Sequence, residues 1–94
     1  MLLTIIIYIE LESHITEEFI NSFIKEINEK NVCSSIKFIQ NTLNNNHITI
    51  EQIYKDPNSY IDSFLDNTDN NKSTIKKYIN LGYVIYYQEK IIYE

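Results

Sequence analysis

Residues 2–12 read LLTIIIYIELE, and this stretch decides the fold. Its first half is almost continuously apolar and rich in β-branched residues, which predicts a strand buried on both faces at its start. Its second half alternates apolar and polar residues, which predicts one buried face and one solvent face at its end. The apolar positions of this alternation are Ile7, Ile9 and Leu11.

An amphipathic helix is predicted after this strand. Thr16 is placed as its N-cap, Glu17 and Glu18 sit at the positive end of the helix dipole, and Asn31 is the expected C-cap. Apolar residues follow at helical spacing and predict one buried stripe. The stripe consists of Phe19, Ile20, Phe23, Ile24 and Ile27.

Residues 32–55 fit two interpretations. With a period of two, Ile36 and Phe38 form one strand and Ile48 and Ile50 form a partner strand, joined by a turn at residues 44–46. With a period of 3.6, the same residues form two short helices, and the second begins at Thr49. We favour the β-hairpin.

Residues 56–93 carry the remaining elements. Asp56 and Pro57 predict the start of a short helix. A polar loop is expected at residues 66–72, followed by a helix that Ser73 or Thr74 caps and Gly82 closes. The last element, residues 83–93, is predicted to be a strand, bent or turned near Gln88–Lys90.

The order of the predicted elements is strand, helix, hairpin, helix, strand. This βαββαβ order is typical of a ferredoxin-like α+β sandwich, in which the helices pack on one face of a mostly antiparallel sheet. The 94 residues of the chain are expected to form a single domain, residues 1–94.

Composition and charge narrow the classes of function. The chain has 19 isoleucines and 12 asparagines but no alanine or arginine, which is typical of an AT-rich genome such as that of a phage or mobile element. Its net charge is −5, so direct binding to nucleic acid is not expected. Cys33 is the only cysteine, and the apolar N-terminal stretch is too short to span a membrane. We therefore expect a cytoplasmic protein, of a host or an infected cell, that does not contact membranes.

The sequence contains no motif that carries chemistry. Cys33 and His47 lack the flanking residues of a nucleophile–base pair, and two histidines with one cysteine are too few for a standard zinc site. One glycine is too few for a phosphate-binding loop. These observations predict a protein that is not an enzyme and holds no cofactor or metal.

Two groups of residues are candidates for binding a partner. Acidic side chains at spacing i, i+4 and i+7 predict a face that docks on a basic groove, and tyrosines near the C-terminus predict an interface. The residues are Asp62, Asp66, Asp69, Tyr83, Tyr86 and Tyr87. The function predicted first is a non-enzymatic protein–protein interaction module, an anti-CRISPR-like inhibitor whose partner has a basic surface. A homodimer through a sheet edge is a further expectation.

A second interpretation comes from residues 73–84. Their sequence, STIKKYINLGYV, resembles the recognition helix and following strand of a winged helix-turn-helix protein. The resemblance implies a DNA-binding regulator in which Lys72, Lys76 and Lys77 face DNA and residues 85–93 form the wing.

Overall fold

The computed structural model describes residues 2–31, 33–56, 58 and 70–93. These residues form four strands and two helices. In chain order the elements are β1 (Leu3–Leu11), α1 (Glu17–Lys30), β2 (Ser35–Gln40), β3 (His47–Tyr54), α2 (Asn70–Asn80) and β4 (Val84–Tyr93).

The four strands form one antiparallel sheet in the order β2-β3-β1-β4. Each pair of strands joined through a helix, β1 with β2 and β3 with β4, is separated in the sheet by one intervening strand. This arrangement is the split βαβ topology, so the α+β ferredoxin-like fold predicted from the sequence is confirmed. The first strand of the chain lies at the centre of the sheet, and the last strand lies at an edge.

One face of β1 forms the centre of the hydrophobic core. Leu3, Ile5, Ile7, Ile9 and Leu11 are all buried, which confirms the predicted alternation. The expectation that both faces are buried at the start of the strand is wrong. Thr4 and Ile6 are only half-buried, because the described helices pack on the other face of the sheet.

Helix α1 begins and ends as predicted. The Thr16 side chain accepts a hydrogen bond from the backbone N–H of Phe19 at 3.1 Å, and Asn31 is the C-cap. Ile20, Phe23 and Ile27 are completely buried and pack against the sheet. The apolar stripe therefore fixes α1 on the buried face.

Residues 35–54 form the predicted β-hairpin. β2 pairs with β3 in a register that sets Phe38 opposite Ile50. The helical interpretation of this segment is wrong, because alternate residues of β3 are buried, as the pleat of a strand requires.

The winged-helix alternative is also wrong. Residues 85–93, which it takes as the wing, lie in β4, and this strand pairs with the central strand β1.

Helix α2 extends further towards the N-terminus than predicted. Asn70 to Ser73 are helical, so neither Ser73 nor Thr74 is an N-cap, and Thr74 is buried. Gly82 ends the helix as expected. Its φ of 84° allows hydrogen bonds from Gly82 N–H to the Ile79 carbonyl and from Tyr83 N–H to the Tyr78 carbonyl, which form a Schellman motif.

Some predictions fall outside the described residues. The short helix expected after Pro57 and the acidic side chains of Asp62, Asp66 and Asp69 are among them. Neither α1 nor α2 combines the length and apolar character that crossing a membrane requires, within the residues described.

Candidate functional site: a groove on the open face of the sheet

A groove of about 420 Å³ lies on the face of the sheet opposite the core. It crosses all four strands at one end, and pockets that hold small molecules are typically about 300–1,000 Å³. Its lining includes polar and aromatic side chains from the two central strands and from β4. These are Tyr8, Glu10, His47, Thr49 and Tyr86.

Strand pairing explains why these side chains meet. In β1 the odd-numbered residues are buried, so Tyr8 and Glu10 point to the open face. Glu10 is directly opposite His47 of β3 on one side and Tyr86 of β4 on the other. Three strands therefore place an acid, a base and a phenol in one row across the sheet.

His47 and Glu10 are the ionisable pair that lines the groove. Nε2 of His47 lies 3.5 Å from Oε1 of Glu10, and the two side chains are 44% and 37% exposed, so both remain accessible. Nε2 of His47 faces the Glu10 carboxylate, so Nδ1 is the ring nitrogen left for a ligand in the groove.

Tyrosine and isoleucine side chains give the groove its apolar walls. Tyr8 of the central strand β1 and Ile39 of the edge strand β2 are both about 40% exposed. The Tyr86 hydroxyl donates to Oε1 of Gln88 at 2.8 Å, which holds its ring along β4. Exposed rings beside a polar pair suit a ligand with both an aromatic and a polar part.

The three tyrosines predicted to bind a partner do not share one surface. Tyr86 lies in the groove, whereas the Tyr83 ring packs on Phe19 with centroids 4.7 Å apart. The Tyr87 hydroxyl donates to Glu89 on the helix side of the sheet. A role of each tyrosine in binding a partner remains a prediction.

Cys33 and His47 lie at opposite ends of the hairpin. Ser34, next to Cys33, donates to the carbonyl of Ile53 near the end of β3, whereas His47 begins that strand. Six residues of extended strand separate these points by about 20 Å. The Cys33 thiol donates to Oδ1 of Asn31 at 3.3 Å. The two residues cannot act together.

Among the described residues, a cluster of charged side chains lies between the helices, away from the groove. Glu26 of α1 accepts hydrogen bonds from Lys77 Nζ and from the Tyr78 hydroxyl of α2, both at 2.6 Å. The bond from Lys77, then that from Tyr78, lowers the pKa of Glu26 from 4.5 to about 2, and the same contact with Glu26 raises the pKa of Lys77. Lys77 thus joins the two helices, which corrects the prediction that it faces DNA.

No protein-family model matches the chain, and no curated protein sequence matches it either. The chain does match several solved structures. A conserved protein of Methanosarcina mazei Go1 has a TM-score of 0.64 at 18% identity, covering 99% of this chain and 92% of its own. A protein of Shewanella oneidensis has a TM-score of 0.64 at 13% identity, covering 99% and 90%. At these identities the likeness shows the fold.

A third similar structure comes from Chloroflexus aurantiacus J-10-fl, and that protein is proposed to be an antibiotic biosynthesis monooxygenase. Its TM-score is 0.59 at 15% identity, and the match covers 100% of this chain and 95% of the other.

This finding overturns two predictions made from the sequence. The function of a non-enzymatic, anti-CRISPR-like inhibitor is wrong, and so is the statement that the chain is not an enzyme, because the same whole-chain fold occurs in a protein proposed to be a monooxygenase. Glu10 and His47 are distant in sequence, and strand pairing brings them together.

Proposed function

We propose that the chain binds a small aromatic molecule with an acidic hydroxyl group, such as a phenol, in the open-face groove. In this proposal His47 removes the hydroxyl proton and Glu10 stabilises the imidazolium that results. The observation that carries the proposal is the 3.5 Å contact between His47 and Glu10 inside a groove that Tyr8 and Tyr86 also line.

The lining of the groove argues for an aromatic ligand. Tyr8 and Tyr86 offer ring surface, Ile39 offers an aliphatic surface, and Thr49 adds a hydroxyl that can bind a polar substituent. A phenol has the same combination of a flat apolar body and one acidic group. Its hydroxyl would meet the polar row, and its ring would meet Tyr8 or Tyr86.

Proton removal connects this site with the activity proposed for the Chloroflexus protein. A phenolate is richer in electrons than the phenol, and electron-rich substrates react more readily with oxygen. The step supported by the residues of this chain is the proton transfer to His47. An oxygenase reaction is proposed on the strength of the similar fold and that protein's name.

A binding assay with 4-nitrophenol tests the proposal, because its phenolate has a distinct visible absorption band. The molecule has about ten non-hydrogen atoms, so binding in an open groove should be roughly millimolar. At a pH slightly below the pKa of the free probe, binding beside His47 should increase the phenolate band.

The two histidines of the chain provide a matched control. His47→Gln should abolish the increase, and Glu10→Gln should reduce it. His14→Gln should match the unmodified chain, because His14 is an exposed turn residue outside the groove lining. Equal increases with His47→Gln and His14→Gln would refute the assignment of the base, and an unchanged spectrum with the unmodified chain would refute the proposal.

A further inference from the structure

A second row of side chains crosses the open face of the sheet beyond the groove. Ile6 of β1 is opposite Glu51 of β3 on one side and Lys90 of β4 on the other. Lys37 of β2 is opposite Glu51 and completes the row. Ile6 precedes Glu10 by four residues of extended strand, so this row lies roughly 13 Å from the polar row of the groove.

The two lysines of this row differ in what they face. Lys37 stands directly opposite Glu51, so the charges of these two side chains offset each other. Lys90 stands opposite Ile6, and the neighbouring Glu89 points to the helix side of the sheet. Lys90 is exposed, and no carboxylate of the described residues lies within 4 Å of its Nζ. Of the two, Lys90 is therefore the cation whose charge is left for a ligand.

Tyr8 lies between the groove and Lys90. It is directly opposite Gln88 of β4, which makes Lys90 its diagonal neighbour on the same face. Such neighbours are roughly 7–8 Å apart, within reach of a long side chain. Because the Tyr8 ring lines the groove and is 40% exposed, a ligand ring that packs on it has His47 towards one end and Lys90 towards the other.

We propose that the ligand of the groove is an aromatic acid, a phenol with a carboxylate on the side of the ring opposite its hydroxyl, and that Lys90 binds this carboxylate. The inference rests on the proposed function, because it requires the phenol hydroxyl to face His47. Each end of such a ligand meets a complementary group, and its ring packs on Tyr8 between them.

The expected gain in affinity is small but has a clear sign. An ion pair with an exposed lysine is weak, so the carboxylate should tighten binding by about two- to fivefold. The net charge of the chain, −5, acts in the other direction, because it repels an anionic ligand. A preference for the acid therefore requires a local cation.

Two nitrophenols that differ in the carboxylate measure this preference. One is 4-hydroxy-3-nitrophenylacetate, and the other is 4-methyl-2-nitrophenol, which has the same chromophore and a methyl group in place of the carboxymethyl group. Titrations followed by phenolate absorption should give a dissociation constant about two- to fivefold lower for the acid. Equal or tighter binding of the methyl probe would overturn the carboxylate assignment and leave the proposed function standing. No binding of either probe would overturn both.

Three lysine variants locate the cation. Lys90→Gln should remove the preference for the acid. Lys37→Gln removes the same charge from the row and Lys76→Gln removes it from the exposed surface of α2, and both should keep most of the preference. An unchanged preference in Lys90→Gln, or an equal loss in either control, would overturn the role of Lys90.

Charge reversal tests the same assignment through a change of sign. The third probe is 4-(2-aminoethyl)-2-nitrophenol, whose side chain is a cation. The unmodified chain and Lys76→Glu should bind the acid more tightly than the amine, whereas Lys90→Glu should bind the amine more tightly. Preference for the acid in Lys90→Glu, or the same reversal in Lys76→Glu, would overturn the proposal.

Discussion

Replacing Glu26 by glutamine tests how the two helices are held together. The Glu26 carboxylate accepts hydrogen bonds from Lys77 and Tyr78 of α2, and it also contacts Lys30 of α1 at 3.1 Å. A pKa lowered from 4.5 to about 2 corresponds to at most about 3 kcal/mol of stabilisation of the folded state. Because the Glu26 side chain is 21% exposed and its lysine partners are about half exposed, solvent screening brings the expected loss to about 1–2 kcal/mol.

The effect has a defined pH dependence. The pKa of Glu26 is lower in the folded chain than in the unfolded chain, so its stabilisation is fully present above pH 4.5. It is lost as the pH falls from 4.5 to about 2 and the carboxylate becomes protonated. The difference in stability between the unmodified chain and Glu26→Gln should shrink over this range.

Urea unfolding followed by circular dichroism measures this difference at pH 7, 4 and 2.5. Glu29→Gln is the control. Glu29 lies 3.9 Å from Lys25, and the two side chains are 63% and 77% exposed, so the loss of stability should stay below about 0.5 kcal/mol. Equal losses for the two variants would refute the reasoning. A Glu26→Gln loss that persists undiminished at pH 2.5 would refute it as well.

Urea unfolding also tests four further changes. Thr16→Ala removes the N-cap hydrogen bond from Phe19 N–H and should lower the free energy of unfolding by about 1 kcal/mol; an unchanged free energy of unfolding would contradict the cap. Phe23→Ala leaves a cavity in the core and should cost about 3–5 kcal/mol; a loss below about 1 kcal/mol would contradict its burial. Gly82→Ala should cost about 1–2 kcal/mol, because the φ of 84° strains any residue with a Cβ although no atom within 4 Å would clash, and a neutral result would contradict that φ. Gln52→Leu should be neutral or stabilising by up to about 1 kcal/mol, because its buried Nε2 has no hydrogen-bond partner among the described residues; a large loss would reveal a partner.

The parts of the fold that were predictable follow from local patterns. Alternation in residues 2–12 places Ile7 and Ile9 in the core. Thr16 marks the start of a helix because its side chain can accept a backbone hydrogen bond, and Gly82 marks the end of one because glycine tolerates a positive φ. The sequence favours the hairpin, because a period of two fits both of its strands. It does not indicate the start of α2, because the first turn of that helix is entirely polar and no apolar spacing marks it.

The candidate site was only partly predictable. The alternation that buries Ile9 also places Glu10 on the open face, and the hairpin puts His47 at the start of β3. What no local pattern shows is that β3 and β1 are neighbours with these two residues opposite each other. That pairing depends on the order of strands in the whole sheet.

The most direct test of the groove is amide chemical-shift mapping of the unmodified chain during titration with 4-nitrophenol. We expect the largest shifts to cluster at Tyr8, Glu10, Thr49 and Tyr86 and to diminish in His47→Gln. Shifts centred instead on the cleft between α2 and β4, around Ile75 and Ile79, would contradict binding in the groove, as would no shifts at millimolar probe.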